Sequence, residues 1–477
     1  DLLDKVIKAT SSLANPPKIF TFDQVENAAH WSEVLESGKQ DGDFQKLEPL
    51  KANVQPHDLL TLIYTSGTTG NPKGVMLSHN NLVTNFKTCK PLMPVDHRHR
   101  ALSFLPLCHV YERMLNYLYT SCGISIYYAE SLETISDNLK EVKPHIFVSV
   151  PRLLEKVYDK IYAKGQELTG IKRAMFFWAL NLGLKFELGK KMGLWYDLQL
   201  KLANKLIFSK WREALGGNVK AVVSGGAALQ PRLGKVFWAA NIPIMQGYGL
   251  TETSPVICVN RCDPKLNRIE TVGQPIEGVE VKIAPDGEIL TRGPHIMLGY
   301  YNKPEQTAEV IDAQGWLHTG DIGELSADGF LKITDRKKEM FKTSGGKYIA
   351  PQQIENKLKE IVLVEQAIVV GDGEKFPSSL IIPAFSELKK WCEFKGIPYS
   401  NDAEMVKHPD VLAKFQKEID EMNEQFAQFE RIKKFALLPN AWTIESGELT
   451  AKLSLKRKVI IQKNKALIDS FYEHHFV

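Results

Sequence analysis

Between residues 59 and 150, short apolar runs alternate with stretches of helical spacing, and this alternation confines the chain to layered α/β architectures more tightly than any other feature. Residues 59–64, 124–128 and 146–150 are too short for helices and rich in β-branched and aromatic side chains, so each reads as a strand. From 151 to 215 the pattern turns helical. Leu153, Leu154, Val157 and Ile161 recur at helix spacing, and aromatics and leucines follow among lysines and arginines. Strand-like runs return at 219–223, 242–245, 256–259 and 279–283. After Asp335 the chain becomes lysine-rich, and a smaller α/β unit is expected from 354–358, 364–370 and 380–384. The reading is a large layered domain over 1–335 carrying a helical insertion at 151–215, then a small C-terminal domain over 336–477, with a short hinge at 336–338. Residues 1–58 mix both patterns, and no internal repeat interrupts the series.

The run Tyr64-Thr65-Ser66-Gly67-Thr68-Thr69-Gly70-Asn71-Pro72-Lys73-Gly74-Val75 leaves the first of these strands. Hydroxyls, glycines and one lysine at a strand end can hold a polyphosphate: glycine lets backbone N–H groups approach the oxygens, and the ammonium follows the charge. The spacing is not that of the Walker loop, because Lys73 stands three residues after Gly70 and is followed by glycine rather than preceded by it. A P-loop kinase or GTPase is therefore disfavoured.

Bulk properties narrow the rest. With 477 residues, two or more domains with substantial cores are affordable. Sixty Lys plus Arg against 56 Asp plus Glu leave a net charge of +4, too mild to point to nucleic acid. The six cysteines are scattered without a C-x-x-C pair or histidines at zinc spacing, and read as reduced cytoplasmic thiols. No run approaches the roughly 18–20 apolar residues of a membrane span.

Five further segments carry polar chemistry, and each also has a plain reading as a turn or charged surface. Gln246-Gly247-Tyr248-Gly249-Leu250-Thr251-Glu252-Thr253 follows a strand-like run and offers an aromatic face, a hydroxyl and a carboxylate, an oxygen ligand that a hard cation favours. Ser224-Gly225-Gly226-Ala227 follows another, as a glycine pair expected to open a helix. His318-Thr319-Gly320-Asp321 supplies a carboxylate able to accept ribose hydroxyls. Residues 335–348 combine charge with glycine flexibility. Pro106-Leu107-Cys108-His109-Val110 sets one histidine at an apolar strand end.

Together these runs resemble, segment by segment, the acyl-adenylate-forming superfamily of acyl-CoA synthetases, luciferases and peptide-synthetase adenylation domains. The similarity is greatest to long-chain fatty acid–CoA ligases, through Val150-Pro151-Arg152-Leu153-Leu154-Glu155, the helical insertion and Ser344-Gly345-Gly346-Lys347-Tyr348. The resemblance implies a truncated multi-subdomain α/β N-terminal domain and a small mobile α+β lid, using ATP, Mg²⁺ and coenzyme A. It implies that Thr65, Ser66, Gly67, Thr68, Thr69, Gly70 and Lys73 bind phosphates, with Thr65 and Glu252 at the metal. Gly226 and Ala227 would border adenine, together with Gln246, Gly247 and Gly249; Tyr248 would cover the base and Thr251 contact phosphate. Asp321 and Arg336 would hold ribose, Lys338 would be the pivot of the lid, and Lys342 would approach the adenylate. Ser344, Gly345 and Gly346 would border the CoA tunnel, and His109 with Gly247 the acyl pocket. Catalytic weight would fall on Lys73, Thr251, Glu252 and Lys338.

One departure stands out in Gly447-Glu448-Leu449-Thr450-Ala451-Lys452-Leu453-Ser454-Leu455-Lys456-Arg457. The family's adenylation lysine aligns with Ser454, leaving Lys452 and Lys456, two residues to either side, as substitutes. Because the phosphate loop lies nearer the start than in the resembled family, roughly a hundred preceding residues are expected. The implied partners are a long-chain fatty acid, ATP and CoA. The basic, aromatic stretch 172–210 (Phe176, Phe177, Trp178, Trp195, Phe208; Lys185, Lys190, Lys191, Lys201) is a candidate for peripheral contact at the inner membrane face, with packing on the large domain as the alternative. Two competing functions remain open on the sequence: an acyl-AMP ligase loading a carrier protein, and a non-catalytic lipid-binding relative.

Overall fold

Alternate residues of the central strands enter two different cores. Leu102, Phe147, Val222 and Ile244 join one cluster, whereas Ala101, Ile146, Val148, Ala221, Val223 and Met245 join the other. A strand buried on both faces reads as a continuous apolar run, which is why these segments were short, unbroken and visible in the sequence. The computed structural model describes residues 2–65, 72–131, 133–450 and 454–473.

The main sheet has seven strands in the order Gln274–Pro275, Val256–Val259, Ile244–Gly249, Ala221–Ser224, Ile146–Ser149, Arg100–Ser103, Ser125–Tyr128. The five from Ser125–Tyr128 to Ile244–Gly249 are parallel and the last two antiparallel. From Arg100–Ser103 the chain steps outward to Ser125–Tyr128, then returns to the other side at Ile146–Ser149. Strand order reverses there, and in such sheets the crevice beyond the carboxyl ends at the reversal is where ligands bind. Helices His79–Cys89 and Val110–Ser121 cover one face. Pro151–Glu167, Gly170–Lys185, Ser209–Ala214 and Pro231–Ala239 cover the other, so the helical insertion is a layer of the large domain.

Two smaller sheets flank it. Leu59–Thr65 pairs antiparallel with Lys73–Ser78, which pairs with Gly299–Tyr300. Four antiparallel strands, Glu280–Ile283, Glu288–Arg292, Leu317–Leu325 and Leu331–Arg336, form the other. The C-terminal part is built on Val364–Val370, Ser378–Pro383 and Lys434–Leu437, again with side chains alternating between two cores. Asp335 joins it to the strand before it: its carboxylate accepts the N–H of Arg336 at 2.6 Å and that of Gln352, in the first turn of helix Pro351–Leu358, at 3.0 Å. A carboxylate at a helix N-terminus satisfies a donor the helix leaves free.

Residues 1–58 form a separate compact unit. It holds helices Leu2–Thr10, Ser32–Asp41 and Phe44–Asn53 and the strands Phe20–Thr21 and Ala29–His30, with no buried side chain among its described residues.

Three local expectations are corrected. Gln246 to Gly249 lie within a strand rather than in a turn after one: Gln246 pairs with Ser224 of the parallel neighbour, and Gly247 to Gly249 pair with the antiparallel strand Val256–Val259. Lys73 to Val75 likewise belong to a strand, so the phosphate-loop connection is shorter than the motif. The Gly225-Gly226 pair does not open a helix directly; the next helix begins at Pro231, whose fixed φ suits a first helical position. Within the small α/β unit, residues 354–358 supply the helical part, presenting Ile354 and Leu358 to the core at i, i+4 spacing.

Candidate active site

The strand pair below the phosphate loop fixes its two ends. Thr65 stands opposite Lys73 in the register, and Tyr64 opposite Gly74. A Cβ on Gly74 would come within 3.2 Å of the Tyr64 ring, so the ring lies against a bare backbone. Ser66, Gly67, Thr68, Thr69 and Gly70 lie outside the described residues. Lys73 extends toward Tyr300, with its ammonium 4.7 Å from the ring centroid, a distance at which cation and ring attract.

The Ile244–Gly249 strand delivers the next group. Tyr248 is buried and donates its hydroxyl to Asp321 Oδ2 at 2.6 Å. Asp321 lies opposite Arg336 on neighbouring strands, and the Arg336 guanidinium approaches its other oxygen at 3.4 Å. Burial pushes the Asp321 carboxyl upward, opposed by Arg336 and by the Tyr248 hydroxyl. The tyrosine, carboxylate and arginine therefore form one line. Gly249 is required by close approach: a Cβ there would sit 1.8 Å from the Pro255 carbonyl oxygen. Gly226, at φ +83°, and Ala227 are exposed beyond the end of the Ala221–Ser224 strand.

Thr251, Glu252 and Thr253 make one short 3-10 turn. Glu252 accepts the Tyr300 hydroxyl at 2.9 Å. No group of three or more His, Cys, Asp or Glu side chains able to hold a metal occurs among the described residues. The donors present, Glu252 with the Thr65 hydroxyl, suit a hard cation that takes its remaining ligands from phosphate oxygens and water.

A cavity of about 950 Å³ opens beyond the carboxyl ends of the parallel strands. Gly226, Gly247, Tyr248, Gly249 and Thr251 line it, and most of the remaining lining is apolar, with Phe104, Leu105, Met114, Phe147, Phe237 and Ile242 among it. His109 lines it too, at the N-terminus of helix Val110–Ser121. The structure thus brings His109 and Gly247 to one wall. Glu112, on the same helix, is buried and accepts hydrogen bonds at Oε1 from Ser103 (2.5 Å) and Asn116 (3.5 Å), while its Oε2 is buried without a hydrogen-bond partner among the described residues. Burial pushes its carboxyl up to about 7, opposed by those two bonds.

The C-terminal part contributes Gln366, Ala441, Trp442, Thr443, Ile444, Glu445 and Leu449 to the cavity wall. Ser344, Gly345, Gly346 and Lys342 are not among the lining residues. They lie on the exposed hairpin formed by Phe341–Lys342 and Tyr348–Ile349, with Gly346 at φ +78°. Arg152 ties this arrangement by ion-pairing with both Glu155 and Glu365. Arg232 donates to the carbonyls of Lys359 and Glu360, and Gln166 to Glu387 at 2.7 Å. Over 336–338, Lys337 is anchored to Asp286 and Glu288 at 2.7 and 2.8 Å, while Arg336 and Lys338 are exposed.

On either side of 451–453 the backbone of the serine-bearing segment is hydrogen-bonded. Ser454 is exposed and its carbonyl accepts the Thr450 N–H, while Lys456 caps helix Arg457–Lys463 and gives its N–H to the Glu448 carbonyl at 2.7 Å. Lys452 lies outside the described residues.

Residues 3–301 match the family of AMP-binding enzymes, and residues 339–475 the C-terminal domain of AMP-binding enzymes. The chain belongs to the AMP-binding enzymes. Among relatives, the long-chain-fatty-acid–CoA ligase FadD15 of Mycobacterium tuberculosis is 36% identical over 88% of this chain and 70% of its own. The long-chain-fatty-acid–CoA ligase ACSBG2 of Xenopus laevis is 34% identical over 99% of this chain and 68% of its own. The adenylation domain of a carboxylate reductase from Mycobacterium chelonae shares the fold, with a TM-score of 0.70 at 22% identity over 98% of this chain and 72% of that one. Like these adenylate-forming structures, this AMP-binding enzyme pairs a large N-terminal domain with a small C-terminal one.

Sequence reasoning missed Tyr300, which touches both Lys73 and Glu252, because nothing in Leu298-Gly299-Tyr300-Tyr301 signals that its strand pairs with the one bearing Lys73. It also missed the 441–445 loop and the Arg152–Glu365 pair. Both depend on how the small domain packs against the insertion. The aromatic stretch 172–210 is corrected in part: Phe176 and Phe208 are core residues in edge contact with Phe177 and Trp211, respectively, and only Trp195 among the five aromatics is exposed.

Proposed function

We propose that this AMP-binding enzyme is a long-chain fatty acid–CoA ligase: it joins a fatty acid carboxylate to AMP with release of pyrophosphate, then passes the acyl group to CoA. The observation that supports this reading is a cavity of about 950 Å³ lined both by Gly247, Tyr248, Gly249 and Thr251 of the nucleotide motif and, for the larger part, by apolar side chains. The names of the relatives agree with it.

In the first step a carboxylate oxygen attacks the α-phosphorus, and the α–β bridging oxygen leaves on pyrophosphate with its electron pair. Tyr248 and the Asp321–Arg336 pair would hold the nucleoside, Lys73 and the loop N–H groups would draw charge from the leaving phosphates, and His109 with Gly247 would border the reacting carboxylate. Mg²⁺ bound at Glu252 and Thr65 would supply neutralisation of phosphate charge. In the second step the CoA thiolate attacks the acyl carbon and AMP leaves. Positioning and electrostatics suffice, so no nucleophilic side chain is required. For this step we place the hinge at 336–338, about Lys338, bringing the Ser344, Gly345 and Gly346 hairpin to the site in exchange for the 441–454 segment. Lys342 would then leave the exposed hairpin to approach the adenylate, and Lys452 or Lys456 would serve adenylation in place of the residue at Ser454.

Peripheral contact with an anionic bilayer is part of the same reading. Helix Leu194–Ala203 and the turn after it expose Leu194 (91%), Trp195 (72%), Leu198, Leu202 and Leu206 beside exposed Lys191, Lys201 and Lys205. Apolar area flanked by lysines matches the boundary between acyl chains and anionic headgroups. No helix among the described residues is long and apolar enough to cross a membrane. Flotation with phosphatidylglycerol vesicles should be lost on W195A/L198A/K201A; flotation unchanged by these substitutions would remove the contact from this reading.

The enzymatic test is palmitate-dependent exchange of labelled pyrophosphate into ATP, followed by CoA-dependent thioester formation. Acyl binding without exchange would instead favour a non-catalytic relative, and transfer to acyl carrier protein in preference to CoA would favour a carrier-loading ligase.

A further inference from the structure

We infer that Tyr300 is a positioning residue that holds Lys73 and Glu252, the two charged groups of the phosphate end, against one side chain. The inference rests on the nucleotide-binding part of the proposed function and adds a residue to it. Three separate elements meet here. Lys73 opens the strand Lys73–Ser78, Glu252 lies in the turn after Ile244–Gly249, and Tyr300 comes from Gly299–Tyr300.

The backbone fixes Tyr300 before its side chain acts. It sits opposite Val75, with flanking bonds from the Leu298 N–H to the Met76 carbonyl and from the Tyr301 N–H to the Gly74 carbonyl. Its own N–H donates to the Thr307 hydroxyl at 2.9 Å. The Met297 N–H donates to the Glu252 carbonyl at 2.9 Å, tying the acidic turn to the same segment. With 7% of its surface exposed, the ring has little freedom.

Its two ends do different work. The hydroxyl donates to Glu252 Oε1 at 2.9 Å, which fixes the carboxylate plane and leaves Oε2 as the freer oxygen. The ring face receives the Lys73 ammonium at 4.7 Å, an attraction that does not neutralise the cation or fill a carboxylate with it. Without the tyrosine, an ammonium and a carboxylate in one pocket could pair directly, and each phosphate contact would then have to break that pair. A purely structural tyrosine would use its ring for packing and need no carboxylate partner; this one spans both charges.

The test measures binding rather than turnover. Calorimetry would give the affinity of the full chain for ATP with and without Mg²⁺, and for AMP without metal. In Y300F the ring remains and the hydroxyl is lost. The Mg²⁺-dependent tightening of ATP should fall about tenfold, the scale of a hydrogen bond to a charged group, with AMP affinity kept within about twofold. Y300L also removes the ring, and should further weaken metal-free ATP. On an E252Q background, Y300F should add little, because the two act through one contact. Mg²⁺-dependent ATP binding by Y300F equal to that of the unaltered chain overturns the inference, as does full additivity with E252Q. A chain that binds Mg·ATP in a Tyr300-dependent way yet makes no acyl-CoA would leave this inference standing and overturn only the fatty acid reading.

Discussion

At the residue scale, the site depends on side chains that are held by one another before any ligand is considered. Asp321 is buried against Tyr248 and Arg336, and its amide variant would keep the size while losing the charge that Arg336 meets and that the proposed function assigns to ribose. D321N should weaken AMP binding by about tenfold or more, measured by calorimetry. G249A should cost about 1–3 kcal/mol in chemical unfolding, because its Cβ meets the Pro255 carbonyl in a packed strand pair. Glu112 gives the pH dependence. Burial raises its carboxyl to about 7 in the folded protein, so the folded state holds a proton that the unfolded chain releases near its ordinary value of 4.5. That contribution is fully present below the unfolded value and is lost as pH rises through the folded one. E112Q should therefore flatten the decline in stability between about pH 4.5 and 7, by up to about 3 kcal/mol, as read from denaturant midpoints across that range.

At the scale of elements, the joints between large and small domains are short, polar and reversible. Arg152 reaches Glu365 across the joint, Arg232 reaches the last carbonyls near helix Pro351–Leu358, and Lys337 holds the end of the last large-domain strand to Asp286 and Glu288. Partly exposed pairs of this kind contribute on the order of 1 kcal/mol each, enough to bias an orientation and too little to lock it. R152A/R232A should speed tryptic cleavage at the hinge several-fold and lower pyrophosphate exchange more than thioester formation from supplied acyl-AMP. Equal loss in both half-reactions would show that the joint serves stability alone. The 447–457 segment makes the complementary prediction. Ser454 faces solvent and uses its backbone in the turn, so a lysine there meets no packed neighbour. S454K should raise exchange in a chain lacking both Lys452 and Lys456.

At the scale of the whole molecule, legibility followed burial and backbone periodicity. The strands over 146–149 and 221–224 were readable because both of their faces are apolar, whereas Arg100–Ser103, with a charged residue and a serine at its ends, was not singled out. The boundaries were less legible. Gln246 to Gly249 read as a turn because two glycines and a polar residue weaken the local preference for strand, and it is pairing with the antiparallel strand Val256–Val259 that holds Gly247 to Gly249 extended. Phe176 and Phe208 read as surface aromatics because lysines lie near them in sequence, although their helices turn those rings inward.

The sequence by itself determined the layered α/β class and the chemistry of the individual motifs, since hydrophobic period and residue type are local properties. Tertiary structure alone decided that Tyr248 meets Asp321, that Tyr300 joins Lys73 to Glu252, and that the 441–445 loop rather than the Ser344–Gly346 turn faces the cavity. Those contacts join residues tens to hundreds of positions apart, and their geometry is set by strand order and domain packing, which no local pattern encodes.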